Sequence, residues 1–354
     1  MSPPPTTPAA TRFVAPADAV SLLSPAAIAP AGGLAAPPCL IVNPRSFRSA
    51  RGLGERAAAL ARAHGAEVLT LHTPTALNAA IDRVVARRQR HLIVLAGDGT
   101  VHAIAEHLAR HHADGWRPDL LLLPGGRSNL TANDLVPGGR PLLMLEQALR
   151  RVADGRWDDS ATVERRTLRV EQGAEAPRYG FFIAAALLDT IIRRCHAQRH
   201  RASGPLQDGH LSSLWCVLKL AALGLVGRSG LACPRLAVDA GPTGRLTDPI
   251  RLLLATTLPH TTGLLNPYAD RGNGDLRLTA VARRAPRFWR QLPRLVTGRY
   301  NASMTTAAGY LSGRSARVEI SGLDGYTLDG EEYAADPTLP VVWTAGPALR
   351  FLIP

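Results

Sequence analysis

Between Cys39 and about Ala153, short apolar runs alternate with amphipathic ones, and this alternation restricts the fold more than any other feature of the chain. CLIVN (39–43), AEVLTLHT (66–73), HLIVLA (91–96) and DLLLLP (119–124) read as strands. ARGLGERAAALARAHG (50–65), which stops at Gly65, TALNAAIDRVVARR (75–88) and VHAIAEHLARHH (101–112) read as helices, with another near 141–153. Strands separated by helices of this length require right-handed crossovers, so the pattern predicts a parallel sheet with ligands beyond the carboxyl ends of its strands. From about Ser160 the alternation stops. ATVERRTLRVEQ, APRYGFFIAAA, IRLLLATTL, GDLRLTAVAR, ARVEISG and VVWTAG read as strands with few helices between them, apart from the apolar segment 211–226 and a stretch near 286–297. The expectation is therefore α/β plus β: an α/β domain over residues 38–155 and a mostly antiparallel, β-rich domain over 156–354. Residues 1–37, rich in Pro and Ala, are expected to form a disordered tail.

The basic residues exclude two ways of handling phosphate. The 354 residues include 41 Lys and Arg against 28 Asp and Glu, a formal charge of +13, yet Lys219 is the only lysine. A Walker A loop and a protein-kinase fold each need a lysine at a fixed place, and Lys219, inside the apolar run VLKL, supplies neither. Any phosphate must meet backbone amides and arginine instead. The positive surplus favours an anionic partner. Aromatic residues make up only 5% of the chain, and no zinc-finger, basic-zipper or RNA-binding pattern occurs, so the expectation excludes nucleic acid and favours a nucleotide or an acidic membrane surface. Cys39, Cys195, Cys216 and Cys233 form no CxxC pair, which fits reduced thiols in a cytosolic protein. Prolines interrupt any secretory signal at the N-terminus, and LSSLWCVLKLAALGLV (211–226) is short for a membrane span and carries Lys219.

Three turns at predicted strand ends carry the candidate chemistry: Asn43-Pro44-Arg45-Ser46, Gly97-Asp98-Gly99-Thr100 and Pro124-Gly125-Gly126-Arg127-Ser128-Asn129. Glycine lets a backbone approach a ligand closely, and free amides at a helix start attract anions. Together, on one edge of one sheet, the turns point to a nucleotide site. Asp98 is ill-suited to bind phosphate directly. It suits orienting a magnesium ion, a water or a ribose hydroxyl, or capping the helix expected near Val101. His107, His111 and His112 read as a solvated helix face rather than a metal site.

The order of these motifs resembles the diacylglycerol kinase catalytic-domain family of bacterial lipid kinases, related to sphingosine kinases and more distantly to NAD kinases. The resemblance covers about residues 38–352. It rests on Ile41-Val42-Asn43-Pro44, on Ala96-Gly97-Asp98-Gly99-Thr100-Val101-His102 against a GGDGTxN signature, on Pro124 to Asn129 against PxGTxN, and on Leu328-Asp329-Gly330-Glu331. It implies a Rossmann-like N-terminal nucleotide-binding domain, a β-sandwich C-terminal domain for a lipid substrate, and ATP with Mg2+. Asn43, Thr73, Ala96, Gly97, Asp98, Gly99, Thr100, Gly126, Ser128 and Asn129 would hold the nucleotide, and Asp98 and Glu331 would be catalytic, with Glu331 as general base. The family's accessory metal site would fall on Asp270, Asn273 and Asp275.

The chain departs from the family at Ala96, at Arg127 in place of threonine, at Asn273 in place of aspartate, and at Leu187-Leu188-Asp189 where glycines are usual. The resemblance implies a cytoplasmic, peripherally membrane-associated kinase acting on diacylglycerol or a related glycerolipid. The alternatives are a kinase for a sphingoid base or another alcohol, and a catalytically inactive member that binds lipid or nucleotide. The sequence sets no oligomeric state, with a homodimer among the options.

Overall fold

In the computed structural model, the described residues are 36–127, 129–157, 162–186, 189, 233–259 and 266–354. Residues 1–35 of the tail, the segment 211–226, Ser128, Leu187 and Leu188 lie outside them, as do Cys195, Cys216 and Lys219. Residues Ala36–Pro354 form one compact unit.

The first half follows the expected alternation: β1 (Cys39–Val42), α1 (Leu53–Ala63), β2 (Glu67–Thr70), α2 (Pro74–Ala86), β3 (His91–Ala96), α3 (Asp98–His111) and β4 (Asp119–Pro124). The four strands are parallel, in the order β4-β3-β1-β2. Residues of β1, β3 and β4 are buried on both faces, which is why these three strands read as apolar runs, whereas the edge strand β2 is partly exposed. The two-residue side-chain period sorts them. Cys39, Ile41, Leu92, Val94, Leu120 and Leu122 pack with α2 and α3. Leu40, Val42, Ile93, Leu95, Leu121 and Leu123 pack on the other face with α1 and with α5 (Pro141–Ala153). Burial pushes the Cys39 thiol up to about 12, so it stays protonated, and both described cysteines are free.

The strand order fixes where a ligand site can form. From β1 the chain crosses through α1 to β2 on one side, then through α2 to β3 on the other. The crossovers leave β1 and β3 in opposite directions, which opens a crevice at their carboxyl ends. Asn43 and Gly97 stand at those two ends.

The second half is built from antiparallel pairs. Its elements are β5 (Thr162–Gln172), β6 (Arg178–Gly180), β7 (Phe182–Ala185), β8 (Arg235–Asp239), β9 (Arg245–Thr256), β10 (Leu276–Ala282), α6 (Phe288–Val296), β11 (Tyr310–Ser315), β12 (Arg317–Ser321), β13 (Gly325–Leu328), β14 (Glu331–Ala334) and β15 (Val341–Leu352). β15 joins the halves. It runs antiparallel to β5 over most of its length and parallel to β4 at Phe351↔Leu120, so all the described strands share one mixed sheet. Phe351 is fully buried there, edge-on to Phe181 at 6.0 Å.

The sequence reading differs from the structure in local ways. α3 starts at Asp98 rather than at Val101, so the GDGT turn is the first turn of the helix itself. APRYGFFIAAA is divided at Phe181 into β6 and β7, and VVWTAG is only the first half of β15. A short helix, α4 (Leu130–Leu135), follows the third turn unannounced. No described helix is long and apolar enough to cross a membrane.

Because Phe351 seals the seam between the halves, Phe351→Ala should lower stability by about 3–5 kcal/mol, the usual cost of emptying a phenylalanine site. Urea denaturation checks this, and a loss below about 1 kcal/mol would mean that the seam carries little of the stability.

Candidate active site

The second and third turns meet through backbone contact between glycines. A Cβ on Gly126 would lie 2.5 Å from the Cα of Gly97, and one on Gly125 would lie 2.9 Å from the Ala96 nitrogen. Any side chain at Gly126 would therefore push the ends of β3 and β4 apart. The turn after β1 is drawn in by the Arg48 amide, which donates to the Gly125 carbonyl at 2.8 Å. Asn43 completes the junction: its Nδ2 donates to Thr100 Oγ1 at 2.8 Å, and its Oδ1 accepts from the Arg45 amide at 2.9 Å.

The remaining nucleotide candidates have distinct tasks. Asn129 has a positive φ of 50° and folds its amide back on Gly126, accepting from the Gly126 N–H at 2.7 Å and donating to the Gly126 carbonyl at 3.0 Å. Thr73 is exposed beyond β2, and its hydroxyl accepts from the Ala76 amide as the N-cap of α2. Ser128 lies outside the described residues. Arg127, which stands where the family has threonine, lies over the Phe47 ring at 4.6 Å, and Arg51 lies over the same ring at 3.7 Å. Arg48 and Arg140, with Pro124, Asn129, Asn133 and Gly138, line a cavity of about 290 Å³ beside the third turn.

Asp98 caps a helix, but not the one expected. Its Oδ1 accepts from the Leu130 amide at 2.6 Å, so it closes the start of α4 while standing in the first turn of α3. Burial raises its carboxyl above the usual range; the amides of Leu130 and Asn129 oppose this, and the charge of Asp329 adds to it.

Glu331 reaches this corner from the far end of the chain. A Cβ on Gly99 would sit 3.2 Å from Glu331 Oε1, so the carboxylate lies against the first turn of α3, one residue from Asp98. It is exposed at the start of β14. The hairpin that delivers it has two turn residues, Asp329 and Gly330, with φ of 50° and 97°, between the paired Leu328 and Glu331. Two successive positive φ values match the twist of the flanking strands and explain the Asp-Gly dipeptide. Asp329 is far more than a turn residue. Its buried carboxylate accepts from the amides of Phe181 and Phe182 and lies 3.0 Å from His102 Nδ1.

His102, Asp329 and Tyr333 form a connection to which the sequence reading gave no role. His102 is buried on α3, and its Nε2 lies 3.1 Å from the hydroxyl of Tyr333 on β14. Burial alone would lower the imidazole's pKa, but the Asp329 hydrogen bond and charge, with Glu106 and Glu331, outweigh it and raise it. Tyr333 stacks on Tyr326 at 5.5 Å and receives Arg178 over its face, while Glu106 holds Arg110 at 2.7 Å. The available signal was positional: His102 is one turn after Asp98, and Tyr333 is two residues after Glu331, on the same face of its strand.

Two of the residues proposed for an accessory metal face arginines. Asp270 lies 3.4 Å from Arg314 and Asp275 lies 3.3 Å from Arg166, and Asp270, Asn273 and Asp275 are all exposed. Among the described residues, the one group of three His, Cys, Asp or Glu side chains with ligand atoms close together is Asp82, His107 and His112. There both Nε2 atoms already bond the same Asp82 oxygen, at 2.6 and 2.9 Å. His107 is therefore a buried tie between α2 and α3, not part of the solvated face that its spacing suggested.

Two expectations follow. His102→Asn should weaken folding most below the unfolded imidazole pKa, near 6.5. A pKa raised on folding contributes stability that is fully present below that value and lost as pH rises through the folded value. Denaturation of both proteins from pH 5 to 9 checks this, and a difference independent of pH would refute it. Asp98→Asn keeps an acceptor for Leu130 and removes a buried charge beside Asp329. It should therefore raise the melting temperature near neutral pH, whatever it does to activity.

Comparison with known proteins follows the same lines. Residues 37–163 match the family model described as the diacylglycerol kinase catalytic domain. No curated protein matches the chain in sequence. A candidate diacylglycerol kinase from Bacillus anthracis str. Sterne has a similar fold, with 12% identity, a TM-score of 0.60, and coverage of 90% of this chain and 97% of that one. A second structure of such a candidate from this organism gives 12% identity and a TM-score of 0.61, covering 90% of this chain and 95% of that one. A structure of a diacylglycerol kinase from the same organism gives 11% and 0.56, covering 90% and 97%. The resemblance thus holds: residues 37–163, which carry three of the four motifs, match the diacylglycerol kinase catalytic domain, and the described chain shares the mixed α/β fold of structures bearing that name.

Proposed function

We propose that the chain is an ATP-dependent lipid kinase that transfers the γ-phosphoryl group to the hydroxyl of diacylglycerol or a related glycerolipid. The observation that carries this reading is the meeting of Glu331 with Gly99 of the GDGT turn, at the crevice between β1 and β3. A carboxylate from the β-rich half stands at the mouth of a turn built for close backbone approach. That is the arrangement a kinase needs between acceptor and donor. In this reading the α/β half is a Rossmann-like nucleotide domain and the β-rich half is a sandwich that presents the lipid.

The residues divide the work. The first turn of α3 offers backbone to the phosphates, while the Gly125 and Gly126 amides, spent on the Ala96 carbonyl and on Asn129, hold the neighbouring turn in shape. Asn43 and Thr100 fix the spacing of the two turns. Arg48 and Arg140 give the adjoining cavity its positive wall in a chain without a usable lysine. Glu331 takes the proton of the lipid hydroxyl as that oxygen bonds to the γ-phosphorus, the bond to the bridging oxygen breaks, and ADP leaves. Asp98, with its acidic neighbours, fits a magnesium ion, which neutralises phosphate charge when bound. The setting is cytoplasmic, with peripheral attachment to a membrane.

The orientation of Arg127 over Phe47, where the family has threonine, favours a second reading: a member that binds nucleotide or lipid without transfer. One assay separates the two. Purified protein, labelled ATP, magnesium and a bacterial lipid extract should yield a labelled lipid on thin-layer separation, whereas tight ATP binding with no labelled lipid supports the second reading. Adding sphingoid bases to the panel tests the alternative acceptor. Glu331→Gln should lower turnover by about 10²–10⁴-fold with ATP affinity retained. Undiminished lipid phosphorylation in this variant would remove Glu331 from the role of base.

A further inference from the structure

Between Asp275 and Glu319 the chain has no acidic residue and nine arginines. Six of these, Arg283, Arg284, Arg287, Arg290, Arg294 and Arg299, lie on or beside α6, and all six are exposed. One face of α6 is taken: Phe288, Leu292, Leu295 and Val296 pack on Val281, Ala285, Met304 and Tyr310. Arg287, Arg290 and Arg294 follow the spacing i, i+3, i+7, which puts them together on the opposite face. Among the described residues, Arg284 alone of the six meets a carboxylate, that of Asp248. Arg294 reaches only the amide oxygen of Gln291, at 3.3 Å. Trp289 stands at the margin of this face. It is half-exposed, touches Phe288 edge-on at 5.0 Å, and lies outside the apolar cluster beneath the helix.

We infer that α6 and the arginines around it form the surface by which this protein docks on an anionic lipid bilayer. An exposed basic face attracts the negative potential of anionic lipid, and a tryptophan at its edge suits the headgroup layer, where one side of the ring is apolar and the other wet. The helix lies flat against its own domain, so the attachment is electrostatic and reversible, with Trp289 as its one inserting group. The inference rests on the lipid-kinase reading only for the choice of a bilayer over a nucleic acid as the anionic partner. The charge and the geometry stand without it.

Flotation of the full chain with vesicles, in the absence of ATP, tests the surface. Wild-type protein should bind phosphatidylglycerol-containing vesicles, release them as salt rises, and ignore pure phosphatidylcholine. The triple substitution Arg287→Ala, Arg290→Ala, Arg294→Ala should weaken binding by about a hundredfold, each arginine near an anionic surface contributing on the order of fivefold. The matching triple change to lysine should keep most of the binding, which guards against a folding defect, and Trp289→Ala should lower affinity without changing the salt dependence. The inference is overturned by alanine variants that bind like wild type, or by wild-type protein that ignores anionic vesicles. Arginine-dependent binding to RNA or DNA in place of vesicles also overturns it. Wild-type protein that docks on vesicles but phosphorylates no lipid leaves this surface standing and removes the kinase reading instead.

Discussion

The buried carboxylate of Asp329 holds the two halves of the candidate site in register. It sits in a turn with positive φ, yet it accepts from two backbone amides at the β6–β7 junction and faces His102 on α3. Hydrogen bonds to a charged acceptor contribute about 1.5–3 kcal/mol each, and stranding such a charge costs more. The carboxylate thus fixes the hairpin to the helix whose first turn forms the glycine corner. Gly180 belongs to the same constraint, because a Cβ there would lie 2.6 Å from the Asp329 carboxylate. The position of Glu331, two residues on, follows from this attachment.

The glycine turns have a structural task before any chemical one. Gly97 and Gly126 allow the ends of two neighbouring parallel strands to touch backbone to backbone, and Asn129 closes the second turn on itself. Asp98 then ties the first turn of α3 to the start of α4. The corner is preorganised by bonds within the protein, and its acidic and basic groups are separated. Asp98, Asp329 and Glu331 gather at α3, while Arg48, Arg51 and Arg127 gather around Phe47 and the third turn. Such separation suits a polyanion that needs cations on one side and an acceptor's base on the other.

Much of the first half was legible because strands buried on both faces read as apolar runs and their helices as amphipathic repeats, as HLIVLA and its neighbours did. The β-rich half was legible only in kind. The 12-residue β15 passes a bulge between Ala345 and Ala348, and β8, β11, β13 and β14, only 4 to 6 residues long, were not recognised. The site residues were legible as motifs, and their partners were not. A cap on its own helix was one of the roles offered for Asp98, because a cap is a local pattern; the amide it serves belongs to Leu130, 32 residues away. His102 stood inside a quoted motif, but its bonds to Asp329 and Tyr333 span 227 and 231 residues.

The sequence by itself determined the strand and helix alternation of the first half, the glycine corners and the reliance on arginine. Each depends on backbone preferences or composition within a few residues. Only the tertiary structure decided that Glu331 lies against Gly99, that Asp329 and His102 bind α3 to the last hairpin, and that the arginines of α6 gather on one open face. Those are matters of which surfaces pack together, and packing joins residues whose separation along the chain leaves no trace in any local pattern.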